Sequence, residues 1–265
     1  MQEISFPNLG LSFNIDPIAL TLPGGMKLHW YGVIIGIGMF LAVLLTYLKV
    51  KEKYENAEFF FDYLLITVPL SIIGARFYYV IFSWDSYKDK LKEVFFIWHG
   101  GLAIYGAVIV GALCTFIFSR VRNIPLLWFM DICSSGCIIA QSIGRWGNFV
   151  NGEAYGSETT LPWGMKIGNM TNSVHPTFLY ESLWNLIGFI MIYFVILRKK
   201  RTDGWGIAFY LIWYGAGRFF IESLRSDSLF VGSFKVSQIV AILSVFLGCT
   251  VAFYITKKVS SKREC

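Results

Sequence analysis

The chain has 265 residues, of which 55% are hydrophobic and 15% charged, with a net charge of +6 and a mean hydropathy of +0.57. A soluble domain carries roughly 25% charged residues, so the composition excludes an ordinary soluble globular protein and puts lipid over much of the surface. The basic residues lie between apolar runs, where they act as topology signals, so no nucleic-acid partner is expected.

Residues 1–29 read as a short exposed arm on the extracytoplasmic side, with turn residues at Pro7, Asn8, Gly10 and Pro23-Gly24-Gly25. The arm has no basic start and no continuous apolar stretch, so it is not read as a signal peptide. A membrane helix needs about 20 mainly apolar residues. Seven segments qualify, at 30–49, 59–83, 100–119, 125–147, 178–197, 205–224 and 236–256. The second carries Asp62 and Arg76, and the sixth carries Arg218 and Glu222. No internal repeat or linker divides the chain.

Flanking basic residues set the expected orientation. Lys49, Lys51 and Lys53 follow the first segment, and Arg120 and Arg122 follow the third. Arg198-Lys199-Lys200-Arg201 closes the fifth, and Lys257, Lys258, Lys262 and Arg263 follow the seventh. If each segment spans once, all four places fall on one side, which should be the cytoplasm. The expected fold is therefore an all-α integral membrane protein, a bundle of about seven transmembrane helices with the N-terminus outside and the C-terminus cytoplasmic. Its parts are an arm at 1–29, a single membrane domain at 30–256 with an outer loop at 148–177, and a basic tail at 257–265. Cys114, Cys133, Cys137, Cys249 and Cys265 form no disulfide framework or Cys-x-x-Cys pair. The three histidines are scattered, so neither a metal nor any other cofactor is expected.

Charges inside a bilayer are costly and by default mark function. Segment four carries Asp131, Ser134, Ser135, Gln141, Ser142, Arg145 and Asn148 at near-helical spacing, which makes a polar stripe on one face. Segment six repeats the pattern with Tyr214, Arg218, Glu222 and Arg225, while segment five opens with Tyr180, Glu181 and Asn185. The assigned topology sets Arg145, Arg218, Arg225 and Glu181 toward the outer leaflet, with Arg76 near the outer end of its own helix. Arginines gathered at one depth suit an anion, because the guanidinium fork matches phosphate oxygens and keeps its charge. A phospholipid headgroup is the obvious candidate. The alternative is an internal network in which Glu181 or Glu222 neutralises an arginine, and the two readings can coexist.

The run Gly144-Arg145-Trp146-Gly147-Asn148-Phe149-Val150-Asn151-Gly152-Glu153-Ala154-Tyr155-Gly156 is the most distinctive. Its glycines let the backbone turn and approach a ligand closely. Asn148 and Asn151 supply amides, and Glu153 supplies a carboxylate. A helix end unwinding into a loop would explain a glycine or two, but not the whole combination.

This run resembles the signature of the prolipoprotein diacylglyceryl transferases, Gly-Arg-x-Gly-Asn-Phe-x-Asn-x-Glu-x-x-Gly, in every fixed place. His175-Pro176-Thr177-Phe178-Leu179-Tyr180-Glu181 is similar to the family's His-Pro-x-x-Leu-Tyr-Glu start of a membrane helix. Tyr214-Gly215-Ala216-Gly217-Arg218, with Glu222 and Arg225, is similar to its Tyr-Gly-x-x-Arg segment. Trp30-Tyr31-Gly32 and Gly74-Ala75-Arg76 also fit. The likeness covers about residues 29 to 225. It departs at Gly100-Gly101-Leu102-Ala103-Ile104-Tyr105-Gly106, where much of the family has histidine in the place of Tyr105, and His99 is not an aligned substitute. That puts in doubt which group takes the thiol proton.

The resemblance implies an enzyme of the bacterial cytoplasmic membrane with its active site toward the extracytoplasmic leaflet. Its partners would be phosphatidylglycerol, a prolipoprotein signal peptide with a lipobox cysteine, and membrane lipids. The diacylglyceryl group would pass to the cysteine thiol, and glycerol 1-phosphate would leave. Arg145 and Arg218 would hold the phosphate. Asn148, Asn151, Tyr31, Gly156 and Tyr214 would line the lipid headgroup. Glu153 and Tyr105 would serve the chemistry, with Arg76, His175, Glu181, Glu222 and Arg225 in support. A transporter or lipid-binding channel is the reading from another class, but the repeated halves common in transporters are absent. Motifs of acyltransferases and zinc proteases are absent too.

Overall fold

The structure, a computed structural model, describes residues 2–21, 23, 25–198, 203–232 and 234–264, with Val231 and the last three as backbone only. Lys199, Lys200 and Arg201, the side chains of Lys262 and Arg263, Gly24 of the Pro23-Gly24-Gly25 turn, and Cys265 lie outside the described residues.

Among the described residues, seven helices account for the seven expected segments. They are α1 (Trp30–Lys51), α2 (Phe59–Phe82), α3 (Ile104–Val121), α4 (Leu126–Asn151), α5 (Thr177–Ile190), α6 (Trp205–Leu224) and α7 (Val236–Glu264). A π-helical stretch, Met191–Ile196, continues α5. Six of the seven are long and apolar enough to cross a membrane, α5 together with its extension. The remaining helix, α6, is made more polar by Arg218 and Glu222, and it packs between α5 and α7. Three boundaries differ from the sequence reading by four residues or more, and the largest is at α7, which runs on to Glu264 and takes in most of the expected basic tail. α3 starts at Ile104 because Gly100 and Gly101 take positive φ values of 85° and 73°. α4 runs on to Asn151, so Asn148 and Asn151 lie in its last turn and not in a loop.

The described residues of the N-terminal arm are mostly exposed, with Ile4 and Phe6 buried, and they form strands that the sequence reading did not include. β1 (Gln2–Phe6) and β2 (Leu11–Ile15) form a hairpin, and β1 also pairs with β5 (Lys166–Ile167). Alternation along β1 turns Ile4 and Phe6 inward. They pack with Met165, Ile167, Val174 and Phe178 into an apolar cluster, so the arm is joined to the loop after α4. A second hairpin, β3 (Ile18–Thr21) and β4 (Lys27–His29), leads straight into α1. A third, β6 (Phe230–Val231) and β7 (Phe234–Lys235), joins α6 to α7.

The chain divides into two compact units, one of residues 1–46 and 131–265 and the other of 47–130. In the second unit α2 and α3 cross at Gly74 and Gly106, where a Cβ on either would run into the other helix. Asp62, a charge within the second segment, pairs with Arg122 at 2.7 Å, and Tyr63 bonds Thr115 at 2.8 Å. In the first unit Trp184 of α5 and Trp213 of α6 stack at 4.3 Å. Each indole donates to the other's carbonyl, at 2.9 and 2.8 Å. Gly188 and Gly217 make room for these rings, because a Cβ there would strike Trp213 or Trp184.

Candidate active site

Three helices of the first unit bring the intramembrane charges together. Arg145 and Asn148 sit three residues apart near the C-terminal end of α4, so they share a face. Glu181 lies one turn into α5, whose first residue is tied down by Thr177 Oγ1 donating to the Ala154 carbonyl at 2.6 Å. Tyr214, Arg218 and Glu222 follow at steps of four along α6, and Arg225 follows its last turn. The start of α7 adds Ser237.

Glu181 is the centre of the arrangement. It is 4% exposed, and its two carboxylate oxygens go to different arginines. Arg145 Nε pairs with one oxygen and Arg218 Nη1 with the other. Arg218 Nη2 reaches Glu222 at 2.5 Å and Ser237 Oγ at 3.3 Å. Glu222 is 1% exposed and lies 4.0 Å from Arg225 Nε. Arg225 forks onto Asp227 at 3.0 and 2.8 Å. Burial alone would raise the Asp227 carboxyl, but its bonds to Arg225 and the charge of that guanidinium hold it below the ordinary value. The internal ion network considered above is therefore present, with Arg145, Arg218 and Arg225 facing Glu181, Glu222 and Asp227.

The network does not use up Arg145. A guanidinium has five N–H donors. Arg145 gives Nε to Glu181 and one Nη1 hydrogen to Asn148 Oδ1 at 3.2 Å. Its side chain is 23% exposed against 5% for Glu181, so donors reach the surface while the counter-charge stays buried. Such a group can bind an anion without moving, because its orientation is already fixed.

The signature residues complete this edge. Asn148 donates to Glu153 Oε1 at 3.0 Å, and Asn151 donates to the same oxygen at 3.4 Å. Gly152 at φ 58° makes the turn that brings Glu153 back over the helix end. The Tyr31 ring lies against Gly147, where a Cβ would stand 2.8 Å from it. Gly156 fits between His175 and the Leu224 carbonyl, with a Cβ 2.7 and 2.9 Å from them. Its amide donates to the His175 carbonyl at 2.9 Å, and Ser157 N donates to Leu224 O at 2.7 Å, so this loop is stitched to the end of α6. His175 Nδ1 lies 3.3 Å from the Tyr180 hydroxyl. Tyr214 stacks on Tyr210 at 5.7 Å.

Arg76 and Tyr105 belong to the second unit. Arg76 is 5% exposed. It donates to the carbonyls of Val94, Gly100, Gly101 and Glu93 at 2.9, 2.6, 3.0 and 2.5 Å. It thereby gathers the loop between α2 and α3 around one charge. Tyr105 stands in the first turn of α3, its ring 6.1 Å from that of Tyr78.

Sequence reasoning missed three partners, Asp227, Ser237 and Lys235. Ser237 carried no signal beyond being a serine at the head of an apolar segment. Lys235 caps the end of α6 by donating to the carbonyls of Glu222 and Arg225 at 2.7 and 2.9 Å. A lysine just before a helix gave no hint that it would serve the previous one.

A family model described as prolipoprotein diacylglyceryl transferase matches residues 17–254. A phosphatidylglycerol–prolipoprotein diacylglyceryl transferase of Streptococcus mutans is 48% identical over 243 residues, which covers 88% of this chain and 93% of that protein. One of Listeria welshimeri is 44% identical over 250 residues, covering 91% of this chain and 90% of that protein. One of Streptococcus equi is 44% identical over 247 residues, covering 90% and 95%.

Proposed function

The chain belongs to the prolipoprotein diacylglyceryl transferase family, and we propose that it moves the diacylglyceryl group of phosphatidylglycerol onto the lipobox cysteine of a bacterial prolipoprotein. The observation that carries the site assignment is the buried Glu181 carboxylate holding Arg145 and Arg218 together while Arg145 keeps donors at the surface. Arg145 and Arg218 bind the lipid phosphate. Asn148, Asn151 and Glu153 fix Arg145 and meet the headgroup hydroxyls, with Tyr31, Gly156 and Tyr214 beside them. Glu222, Arg225 and His175 support the network, and Arg76 supports the loop that leads to Tyr105.

A cysteine sulfur attacks the glycerol carbon that carries the phosphate ester. A carbon–sulfur bond forms, a carbon–oxygen bond breaks, and glycerol 1-phosphate leaves with the electron pair. The thiolate is the nucleophile, and a nearby positive charge lowers the thiol pKa. The same guanidiniums stabilise the charge that grows on the leaving phosphate. The thiol proton balances on the departing phosphomonoester, whose second pKa is about 6. The proton therefore has an acceptor even with Tyr105, whose ordinary pKa is near 10, in the place of a base.

The protein lies in the bacterial cytoplasmic membrane with this site toward the outer leaflet. Lys49 and Lys51 end α1, Arg120 ends α3, and Lys257 and Lys258 lie in the last turns of α7, whereas the site uses the opposite end of α7. The test is turnover. Purified protein is given phosphatidylglycerol and a lipobox-cysteine peptide, and peptide mass and glycerol phosphate are read. The expected result is one diacylglyceryl added per glycerol phosphate released. Folded protein that yields neither product would overturn the proposal.

A further inference from the structure

Asp131 is the one acidic residue in α4, and the site described above does not touch it. It is 5% exposed. Its Oδ2 accepts from Gly204 N at 2.7 Å and its Oδ1 from Ile207 N at 2.8 Å. Gly204 is the N-terminal cap position of α6, so a side chain on α4 supplies the carboxylate that the start of α6 needs. The first N–H groups of a helix have no partner within it, and an anion there is stabilised by the helix dipole. Gly206 lets the carboxylate in, because a Cβ at that position would stand 3.0 Å from Asp131.

The position of this contact along the two helices gives it a second consequence. Fourteen residues separate Asp131 from Arg145 on α4, and fourteen separate Gly204 from Arg218 on α6. At about 1.5 Å per residue, each interval is roughly 21 Å. Gln141 bonds Tyr210 at 3.0 Å between them. The contacts occur in the same order on both helices, so α4 and α6 run the same way. They are fastened at one end by Asp131 and at the other by Glu181, which takes Arg145 and Arg218 together.

We propose that Asp131 is a positioning residue for the transfer reaction: it sets the axial register of α6 against α4, so that Arg218 and Arg145 arrive at one depth and share Glu181. A slip of α6 by a fraction of a turn would leave each helix intact. It would also part the two guanidiniums that grip one phosphate.

The proposal rests on the transferase reading, and wild-type turnover tests that reading separately. In Asp131→Asn the shape is kept, but only one oxygen remains to accept, so one of the two amides loses its partner. In Asp131→Glu the charge and both acceptors are kept, but the added methylene displaces the cap. Each variant is assayed with the lipobox peptide in mixed micelles, with rates normalised to folded protein from size-exclusion and melting curves. Ile138→Val, a truncation in the buried core of the same unit, reports what loss of packing alone does. Mispositioning by about 1 Å can cost 10²-fold in rate. Normalised kcat should fall about 10- to 100-fold in both Asp131 variants while KM for phosphatidylglycerol stays within about threefold. Ile138→Val should keep its normalised kcat. A purely structural Asp131 would lower the folded fraction and leave normalised kcat within about threefold of wild type in Asp131→Asn or Asp131→Glu, and that result would overturn the proposal. If Asp131→Asn does not fold, Asp131→Glu decides alone, and if neither folds while Ile138→Val does, Asp131 is a stability element and the proposal fails. If wild type itself makes no product, the transferase reading is what has failed.

Discussion

Glu181→Gln is the sharpest test of the site. The substitution keeps the size of the side chain, but it replaces one acceptor oxygen with an amide NH2. One of Arg145 and Arg218 can still be held. The other would face a donor with its own donors, inside a site where Glu181 is 4% exposed. Removing one partner of a buried ion pair costs about 3–5 kcal/mol of stability, so a clear drop in melting temperature is expected. The rate should fall further than folding explains. Loss of one pre-placed electrostatic group typically costs about 10²–10³-fold in kcat, or about 2.7–4 kcal/mol. Among the described residues Arg145 has only Asn148 as its other partner, so it is the guanidinium most freed by the change. The assay is peptide diacylglycerylation in mixed micelles at saturating phosphatidylglycerol, normalised to folded protein. A normalised rate within threefold of wild type would refute the claim that Glu181 holds the phosphate-binding guanidiniums in place.

Tyr105→Phe should retain most activity, within about tenfold, if the proton leaves with the phosphate; a loss above about 10³-fold would assign the Tyr105 hydroxyl to proton transfer. Arg76→Lys keeps the charge but replaces the planar fork with a point charge, so it cannot remake all four carbonyl bonds. Each one lost costs about 1.5–3 kcal/mol, and limited proteolysis should then cut within residues 84–101 where wild type resists. Burial holds the His175 imidazole below its ordinary value, so below about pH 6.5 the folded state binds fewer protons than the unfolded one. Its contribution to stability is complete above that pH and is lost as pH falls, and His175→Gln should flatten the slope of melting temperature between pH 7 and pH 5.

The helices were legible because their signal is strong. Lipid demands a long apolar run, and all seven such segments became helices. The small sheets were not legible, because β5 has two residues and β1 five, and their pairing joins positions more than 160 residues apart. Nothing local marks Ile4 as the partner of Ile167. Helical spacing also identified the faces that carry Arg145 and Arg218. It could not say that one carboxylate on a third helix would take both. The stripe on α4 was read as one surface, but it divides by depth. Asp131 serves the start of α6, Ser134 and Ser135 bond back to the Asp131 and Ile132 carbonyls of their own helix, and only Arg145 and Asn148 reach the site.

That division explains how a cluster of arginines can be neutralised and still receive an anion. A buried guanidinium must have its donors met: four carbonyls do this for Arg76, whereas each arginine of this cluster faces an acid. Where the acid sits decides what remains. Glu222 lies four residues from Arg218 on the same helix, a spacing at which side chains meet by default, and together with Glu181 and Ser237 it occupies both terminal nitrogens of Arg218. Glu181 approaches Arg145 at Nε, and among the described residues none takes the outer nitrogen, Nη2. Arg218 is thus fixed chiefly by protein contacts, and Arg145 is the guanidinium whose fork remains open to phosphate oxygens. The two arginines share a carboxylate but not a workload. Replacing Arg145 with Lys should therefore raise KM for phosphatidylglycerol as well as lower kcat, because the open fork is lost. Replacing Glu222 with Gln should act mainly through Arg218 and leave KM closer to wild type. Equal KM values in the two variants, measured on folded protein, would show that the phosphate does not distinguish the guanidiniums and that the open donors of Arg145 are not its site.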